Sequence, residues 1–239
     1  MIFAAGLGTR LKPLTDRMPK ALVSVGGEPL LKRVILKLKD AGATRIVVNV
    51  HHFSEQIISY LKENNNFNTD ILISDESRGL LETGGGIRKA RPLFHPETPV
   101  LIHNVDILNN VDLKKFYESE GQPAARLLVS SRKTKRYLLF DDTMRLVGWT
   151  NTETGEVKSP YPDLDPASCR MYAFSGIHTV WPSLFPLMDG EPDKFPIIDF
   201  YLRNCRRVRI EGYLKDDLRL MDVGKLETLA EAEKFLDKL

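Results

Sequence analysis

The opening stretch, Met1 to Val23, constrains this chain more than any other part of it. An apolar run, Met1-Ile2-Phe3-Ala4-Ala5, empties into Gly6-Leu7-Gly8-Thr9-Arg10, followed by Pro13-Leu14-Thr15 and Pro19-Lys20-Ala21-Leu22-Val23. A buried strand that ends in glycines and then in two fixed cations is chemistry suited to a polyphosphate. Glycines let backbone N–H groups approach oxyanions with no Cβ in the way. Arg10 can grip phosphate as a planar fork, whereas Lys20 acts as a mobile point charge. Neither standard phosphate-loop pattern fits: there is no G-x-x-x-x-G-K-S/T, and Gly6-x-Gly8 lacks the third glycine of a dinucleotide fingerprint. A glycine pair by itself would mean only a strand-to-helix turn with surface cations after it; the cations in register shift the reading to phosphate.

A chain of 239 residues can bury a full core and is expected to form one domain over residues 1–239. Its 42% hydrophobic and 28% charged residues fit a soluble globular protein and exclude a disordered one. A net charge of +2 is too small to argue for nucleic acid or an anionic membrane as the principal partner, and neither is expected. The two cysteines, Cys169 and Cys205, form no metal motif and no disulfide framework, so a reduced, cytoplasmic setting is expected. No apolar run approaches the roughly twenty residues of a membrane helix. The first apolar run is too short for a signal peptide and has no basic segment before it.

Strand and helix signals alternate through the first half. Glu28 to Ala41 spaces Leu30, Leu31, Val34, Ile35 and Leu38 as a helix, and Arg45 to Val50 is a β-branched buried strand. Ser54 can cap a helix to about Leu61, Asp70 to Ser74 is a short strand, Gly86 to Leu93 a short helix, and Pro99 to His103 a fourth strand. This alternation predicts an α/β protein with a mostly parallel, doubly wound sheet covered by helices on both faces. The second half reads as short strands at Ala125–Ser130, Tyr137–Phe140, Leu146–Trp149 and Tyr172–Val180, with a polar excursion from Thr150 to Ala167. A helix over Phe195–Asn204, an extended run over Arg207–Glu211 and an amphipathic helix over Lys225–Leu239 close the chain.

Beyond the first loop, Leu81-Glu82-Thr83-Gly84-Gly85-Gly86-Ile87 is the heaviest signal. Three glycines at a helix start are costly in backbone entropy and need a local reason. Either a flat ligand approaches bare backbone there, or the segment is a flexible turn. Asp106 follows the Pro99–His103 strand, where ligands gather in open α/β sheets. A lone carboxylate there can hold Mg²⁺ beside substrate phosphates, or simply cap a turn. Asp222, read alone, is an N-cap for the last helix. Asn49, His51 and His52 end the second strand near where a base could bind, the histidines reading as loop residues. The run Arg132, Lys133, Lys135, Arg136 reads as a solvated hairpin, and Lys194, taken alone, as a surface cation.

Together, G-x-G-x-R with P-K downstream, L-E-T-G-G-G-I, Phe174-Ser175-Gly176-Ile177 and Asp222-Val223-Gly224 resemble the sugar-1-phosphate nucleotidyltransferases. The bacterial N-acetylmuramate-1-phosphate uridylyltransferases are the most similar, and mannose-1-phosphate guanylyltransferases share most of the motifs. The resemblance implies a nucleotide-diphosphosugar transferase fold, with a nucleotide-binding half over about 1–124 and a small β-rich, sugar-phosphate-binding half over about 125–239. It implies nucleotide contacts at Ala5, Gly6, Leu7, Gly8, Thr9, Arg10, Lys20, Asn49, Glu82, Thr83 and Gly84, and sugar-phosphate contacts at Asn104, Gly176 and Lys194. Asp106 and Asp222 would hold Mg²⁺, and with Arg10 and Lys20 they would be the catalytic set. The partners implied are an NTP and a sugar-1-phosphate, in a monomer or small homo-oligomer serving nucleotide-sugar synthesis for the cell envelope.

Two positions depart from the family pattern: Val105 stands where G-D is usual, and Lys225 where threonine follows D-V-G. Family members also carry a few residues before the first strand, which here begins at Met1, so that strand is expected to be short. The C-terminal β-helix of bifunctional relatives is not expected. The departures leave open a non-catalytic nucleotide sensor of the same fold. A glycosyltransferase would want a D-x-D motif, which Asp106-Ile107-Leu108 is not; Asp163-x-Asp165 lies in the polar excursion.

Overall fold

In the computed structural model, which describes residues 1–239, the two-residue strand β1 (Ile2–Phe3) lies in the middle of the main sheet. It pairs in parallel on both sides, Ile2 with Val48 and with His103. Its neighbours are the β-branched strand β4 (Arg45–Val50) and β6 (Val100–Asn104), reached after the small hairpin β2 (Ser24–Val25) and β3 (Glu28–Pro29) and after β5 (Asp70–Asp75), which pairs with β4 in parallel. The helices between them are α1 (Leu30–Asp40), α2 (Ser54–Glu63) and α3 (Glu82–Ala90). After β6 come β7 (Ile107–Asn109), the short helix α4 (Leu113–Tyr117), β8 (Ala125–Ser130), β9 (Arg136–Phe140), β10 (Leu146–Asn151), β11 (Val157–Lys158) and the long β12 (Arg170–Val180). Then α5 (Ile197–Asn204), β13 (Ile210–Leu214), β14 (Leu220–Asp222) and α6 (Leu226–Leu236) complete the chain.

The strands β5, β4, β1 and β6 are all parallel; β12 reverses direction against β6 and carries β8 and β9, both antiparallel to it. Alternation along β4 sends Ile46, Val48 and Val50 into one core with Leu31, Ile35 and Leu38 of α1. Val47 faces the opposite core, with Ile87 of α3 and Phe200 of α5. Each fully buried leucine or isoleucine contributes about 1.5–3 kcal/mol relative to exposure, so the five buried side chains of α1 clamp that helix to the sheet. The doubly wound mixed sheet with helices on both faces therefore stands. No helix is long and apolar enough to cross a membrane.

Several boundaries differ from the sequence reading. Extended Pro29 delays α1 to Leu30. At α2 the cap position belongs to Phe53, in a left-handed conformation at φ 55°, and Ser54 is already helical. Helix α3 starts at Glu82 and not Gly86, so all three glycines lie inside it. The extended run near Arg207 begins at Ile210, in parallel with β8. Residues 131–135 are not the turn of a hairpin: β8 and β9 do not pair with each other but both lie on β12.

Candidate active site

The glycine loop leaves the carboxyl end of β1 and is fastened from beneath. The N–H groups of Ala4 and Ala5 donate to Asn49 Oδ1 at 2.7 and 3.3 Å, Asn49 Nδ2 donates to Glu76 Oε1 at 2.8 Å, and Leu81 N–H donates to Glu76 Oε2 at 3.1 Å. Asn49 and Glu76 are buried. Asn49, expected against the nucleotide, therefore holds the loop's main chain. Beyond this anchor the N–H groups of Gly6, Leu7 and Gly8 have no partner within the protein, and the space around Gly6 is open. Gly8 has φ +62°, and a Cβ there would lie 2.8 Å from Thr15 Cγ2. The buried Thr15 hydroxyl donates to Gly8 O at 2.8 Å and locks the turn. A row of free donors of this kind can cradle an anion.

Charge gathers next to it. Lys20 is buried, and its ammonium donates to the Asp106 carboxylate. Asp106 occupies the turn between β6 and β7. Strand β14 lies antiparallel on β7 with Asp222 opposite Ile107, and Val223 N–H donates to Asp106 O at 2.9 Å. Asp222 thus sits in a strand beside Asp106 and does not cap α6, whose cap position is Lys225. A methyl group on Gly224 would lie 2.6 Å from Asp222 Oδ1, 2.8 Å from Arg10 Nη2 and 3.2 Å from Lys20 Nζ. Two cations and the Asp222 carboxyl converge on one glycine, with Asp106 held to Lys20 beside them and Arg10 at the exposed rim. Although Asp222 keeps an open side, partial burial and then the Asp106 carboxylate raise its pKa, against the pull of Lys20 and Arg10. Two adjacent carboxylates with no third His, Cys, Asp or Glu fit Mg²⁺, a hard cation that takes one or two carboxylates and completes its shell with water and phosphate oxygens.

The second glycine segment packs against the protein's own chain. Gly84 and Gly85 donate to Phe195 O at 2.8 and 3.2 Å; a Cβ on Gly84 would lie 2.3 Å from the Phe195 ring, and one on Gly85 2.3 Å from Asp193 O. Gly86 is pressed on Glu76 Oε1 in the same way, at 2.8 Å. Gly84 and Gly85 thus admit the protein's own 193–195 segment, a close approach that side chains there would block. The Thr83 hydroxyl is likewise taken, accepting Ile197 N–H at 2.9 Å. Glu82, at φ 63°, faces outward 3.8 Å from Lys194, which joins a residue expected on the nucleotide to one expected on the sugar phosphate.

The other sugar-side residues meet near the aspartates. Gly176, at φ +75° in a bulge of β12, lies where a Cβ would be 2.7 Å from Asn104 Nδ2. Val105, the departure from G-D, turns its side chain into the core, and Lys225 points to solvent. His51 Nδ1 is bonded to Glu76 O at 2.7 Å and His52 stacks on Phe53, so neither approaches the carboxylates' metal position. Glu76, Thr15 and Gly224 were given no role from sequence, although Thr15 lies within Pro13-Leu14-Thr15 and Gly224 within D-V-G. A separate cavity of about 360 Å³ lies at the opposite, amino ends of the strands, lined by Met1, Val47, Val100 and Leu101 among others, and brings no comparable charges together.

Residues 1–137 match the Nucleotidyl transferase family. The chain is 44% identical to an N-acetylmuramate alpha-1-phosphate uridylyltransferase of Caulobacter vibrioides over 99% of its own length and 96% of that protein's. It is 40% identical to a protein of the same name from Neisseria meningitidis serogroup B over 119 residues, 50% of this chain and about half (51%) of that one. Among solved structures, HddC from Yersinia pseudotuberculosis shares the fold at a TM-score of 0.78 and 23% identity, over 98% of this chain and 97% of its own. By the match over residues 1–137 and the 44% identity over nearly the whole length of the Caulobacter protein, this chain belongs to the nucleotidyl transferase family.

Proposed function

We propose that this protein is a Mg²⁺-dependent sugar-1-phosphate nucleotidyltransferase, acting in the cytoplasm on UTP and N-acetylmuramate-1-phosphate to form the UDP-sugar and pyrophosphate. The observation that carries the reading is the convergence of Arg10, Lys20 and Asp222 on Gly224, with Asp106 paired to Lys20, beside three free loop N–H groups. The choice of base and sugar rests on the full-length similarity to the Caulobacter protein.

A phosphate oxygen of the sugar-1-phosphate attacks the α-phosphorus in line, the bond to the β-phosphate's bridging oxygen breaks, and its electron pair leaves with pyrophosphate. A phosphate monoester is already a competent nucleophile, so the protein's task is positioning and charge stabilisation. The N–H groups of Gly6, Leu7 and Gly8, with Arg10, hold the departing β- and γ-phosphates. Lys20, which compensates Asp106 in the free protein, supplies positive charge to the α-phosphate. Asp106 and Asp222 would hold Mg²⁺, which when bound polarises the α-phosphate and aligns both substrates.

The test is direct. Purified protein with Mg²⁺, each of the four NTPs and a panel of sugar-1-phosphates should release pyrophosphate, most rapidly with UTP and N-acetylmuramate-1-phosphate. Asp106→Ala or chelation of the metal should abolish release. A folded wild type that binds NTP yet turns over no sugar phosphate would be a nucleotide sensor.

A further inference from the structure

Beyond the aspartates, β9, β10 and β11 present one face of alternating side chains, with Arg136 opposite Asn151, Leu138 opposite Trp149, and Trp149 opposite Lys158. Phe174 of β12 and Asp199 of α5 close its sides, leaving a groove of about 520 Å³, within the size range of small-molecule sites. Its carboxylates are already engaged, because Lys158 stands 3.8 Å from Glu156 and 3.5 Å from Asp199 and lies over the Trp149 ring. Its arginines are not. Arg136 makes no ion pair, and Arg132 spends one N–H on the Phe174 carbonyl at 2.9 Å. Partial burial lowers the pKa of Arg132, opposed first by the Asp222 carboxylate, and the Phe174 carbonyl that Arg132 holds lies two residues before Gly176, which packs on Asn104. Two members of the basic run 132–136 therefore line a cavity, and the run is not simply a solvated turn.

A guanidinium fork with no ion-pair partner, as at Arg136, set beside aromatic faces, is the equipment for a planar anion carried on an amphipathic ring. The substrate's phosphate cannot supply that anion, because its oxygen must reach the α-phosphorus beside Lys20 and the aspartates. We infer that this groove seats the sugar and that Arg136, with Arg132 at the inner end, binds a carboxylate carried on it, an inference that rests on the nucleotidyl-transfer reading above. The substrate class is thereby an acidic sugar-1-phosphate.

N-acetylmuramate-1-phosphate and N-acetylglucosamine-1-phosphate differ only by a lactyl ether and its carboxylate, and so isolate the interaction. The ratio of their kcat/KM values for pyrophosphate release should favour the acidic sugar in the wild type. Arg136→Gln should lower that ratio about tenfold or more, the loss expected for a charge-assisted hydrogen bond. Lys133→Gln, a charge-matched change outside the groove, should leave the ratio alone. Thermal melts check that both variants fold. A wild-type ratio near one, or an Arg136→Gln loss shared equally by both sugars, overturns the inference and leaves nucleotidyl transfer intact. If neither sugar turns over, the nucleotidyl-transfer reading fails by itself. The ratio of dissociation constants for the two sugar phosphates, measured by calorimetry, then decides the groove.

Discussion

The N–H of Val223 donates to the carbonyl oxygen of Asp106 at 2.9 Å, and the β7–β14 ladder continues from that bond. Two aspartates far apart in the chain are thus held side by side by backbone. Like charges would otherwise separate, and Lys20 and Arg10 close over them as counter-charge. A site carried on a strand pair keeps its geometry better than one carried on loops.

Gly224 is the test of that geometry. In Gly224→Ala the added methyl must displace Asp222 Oδ1, Arg10 Nη2 or both. A displacement approaching 1 Å at a reacting centre costs about 10²-fold in rate. Pyrophosphate release should fall by about that factor, while the melting temperature moves by only a few degrees. Unchanged activity would mean that the charges shift freely and are not pre-set.

The parallel half of the sheet was legible because buried runs such as Arg45–Val50 advertise themselves by β-branching. Arg10, Lys20, Asp106 and Asp222 were legible as motif positions, but not what aligns them. Strands β7 and β14 are three residues each, too short to show alternation, and their pairing is wholly non-local. Gly84 to Gly86 showed that something approaches closely. Whether protein or ligand does so depends on where residues 193–195 return, which local sequence does not state. Glu76 left no pattern at all, since its burial is a product of the tertiary fold.

Gly84→Ala separates packing from ligand contact. Its Cβ would meet the Phe195 ring at 2.3 Å and the Phe195 carbonyl at 2.8 Å, whereas Gly79 has nothing within 4 Å. Overpacking costs about 1–3 kcal/mol, so Gly84→Ala should melt roughly 2–12 °C below wild type. Gly79→Ala should not differ measurably. Equal melts for the two would return Gly84 to open space.

Asn49→Ala should act on stability and site together. It strips the Ala4 N–H and the buried Glu76 carboxylate of a partner each. Unsatisfied buried groups cost about 1–3 kcal/mol apiece, more when charged. The melt should drop by roughly 5–15 °C, and KM for the nucleotide should rise because the loop loses its anchor. A normal KM at temperatures well below the melt would show that the cradle holds its shape without Asn49.

Acid should unfold this protein partly through two histidines far from one another in role. His178 lies buried with Tyr201 Oη 3.1 Å from its Nδ1, and His103 lies buried beside Asn109. Burial lowers their pKa values to about 3 and about 4, from an ordinary 6.5. The unfolded imidazoles accept protons below about 6.5, while the folded ones stay neutral until the pH nears 4 and then 3. Protons therefore favour the unfolded state: stability is unaffected by these groups above pH 6.5 and is lost progressively as the pH falls toward 4 and 3. With two protons taken up on unfolding, the slope should approach about 3 kcal/mol per pH unit near pH 5. Urea melts at steps from pH 7 to pH 4 measure it. His178→Gln keeps a side-chain acceptor for Tyr201 but cannot be protonated, so its stability should fall with about half that slope from these two groups. Parallel wild-type and variant curves would mean that His178 does not titrate on unfolding.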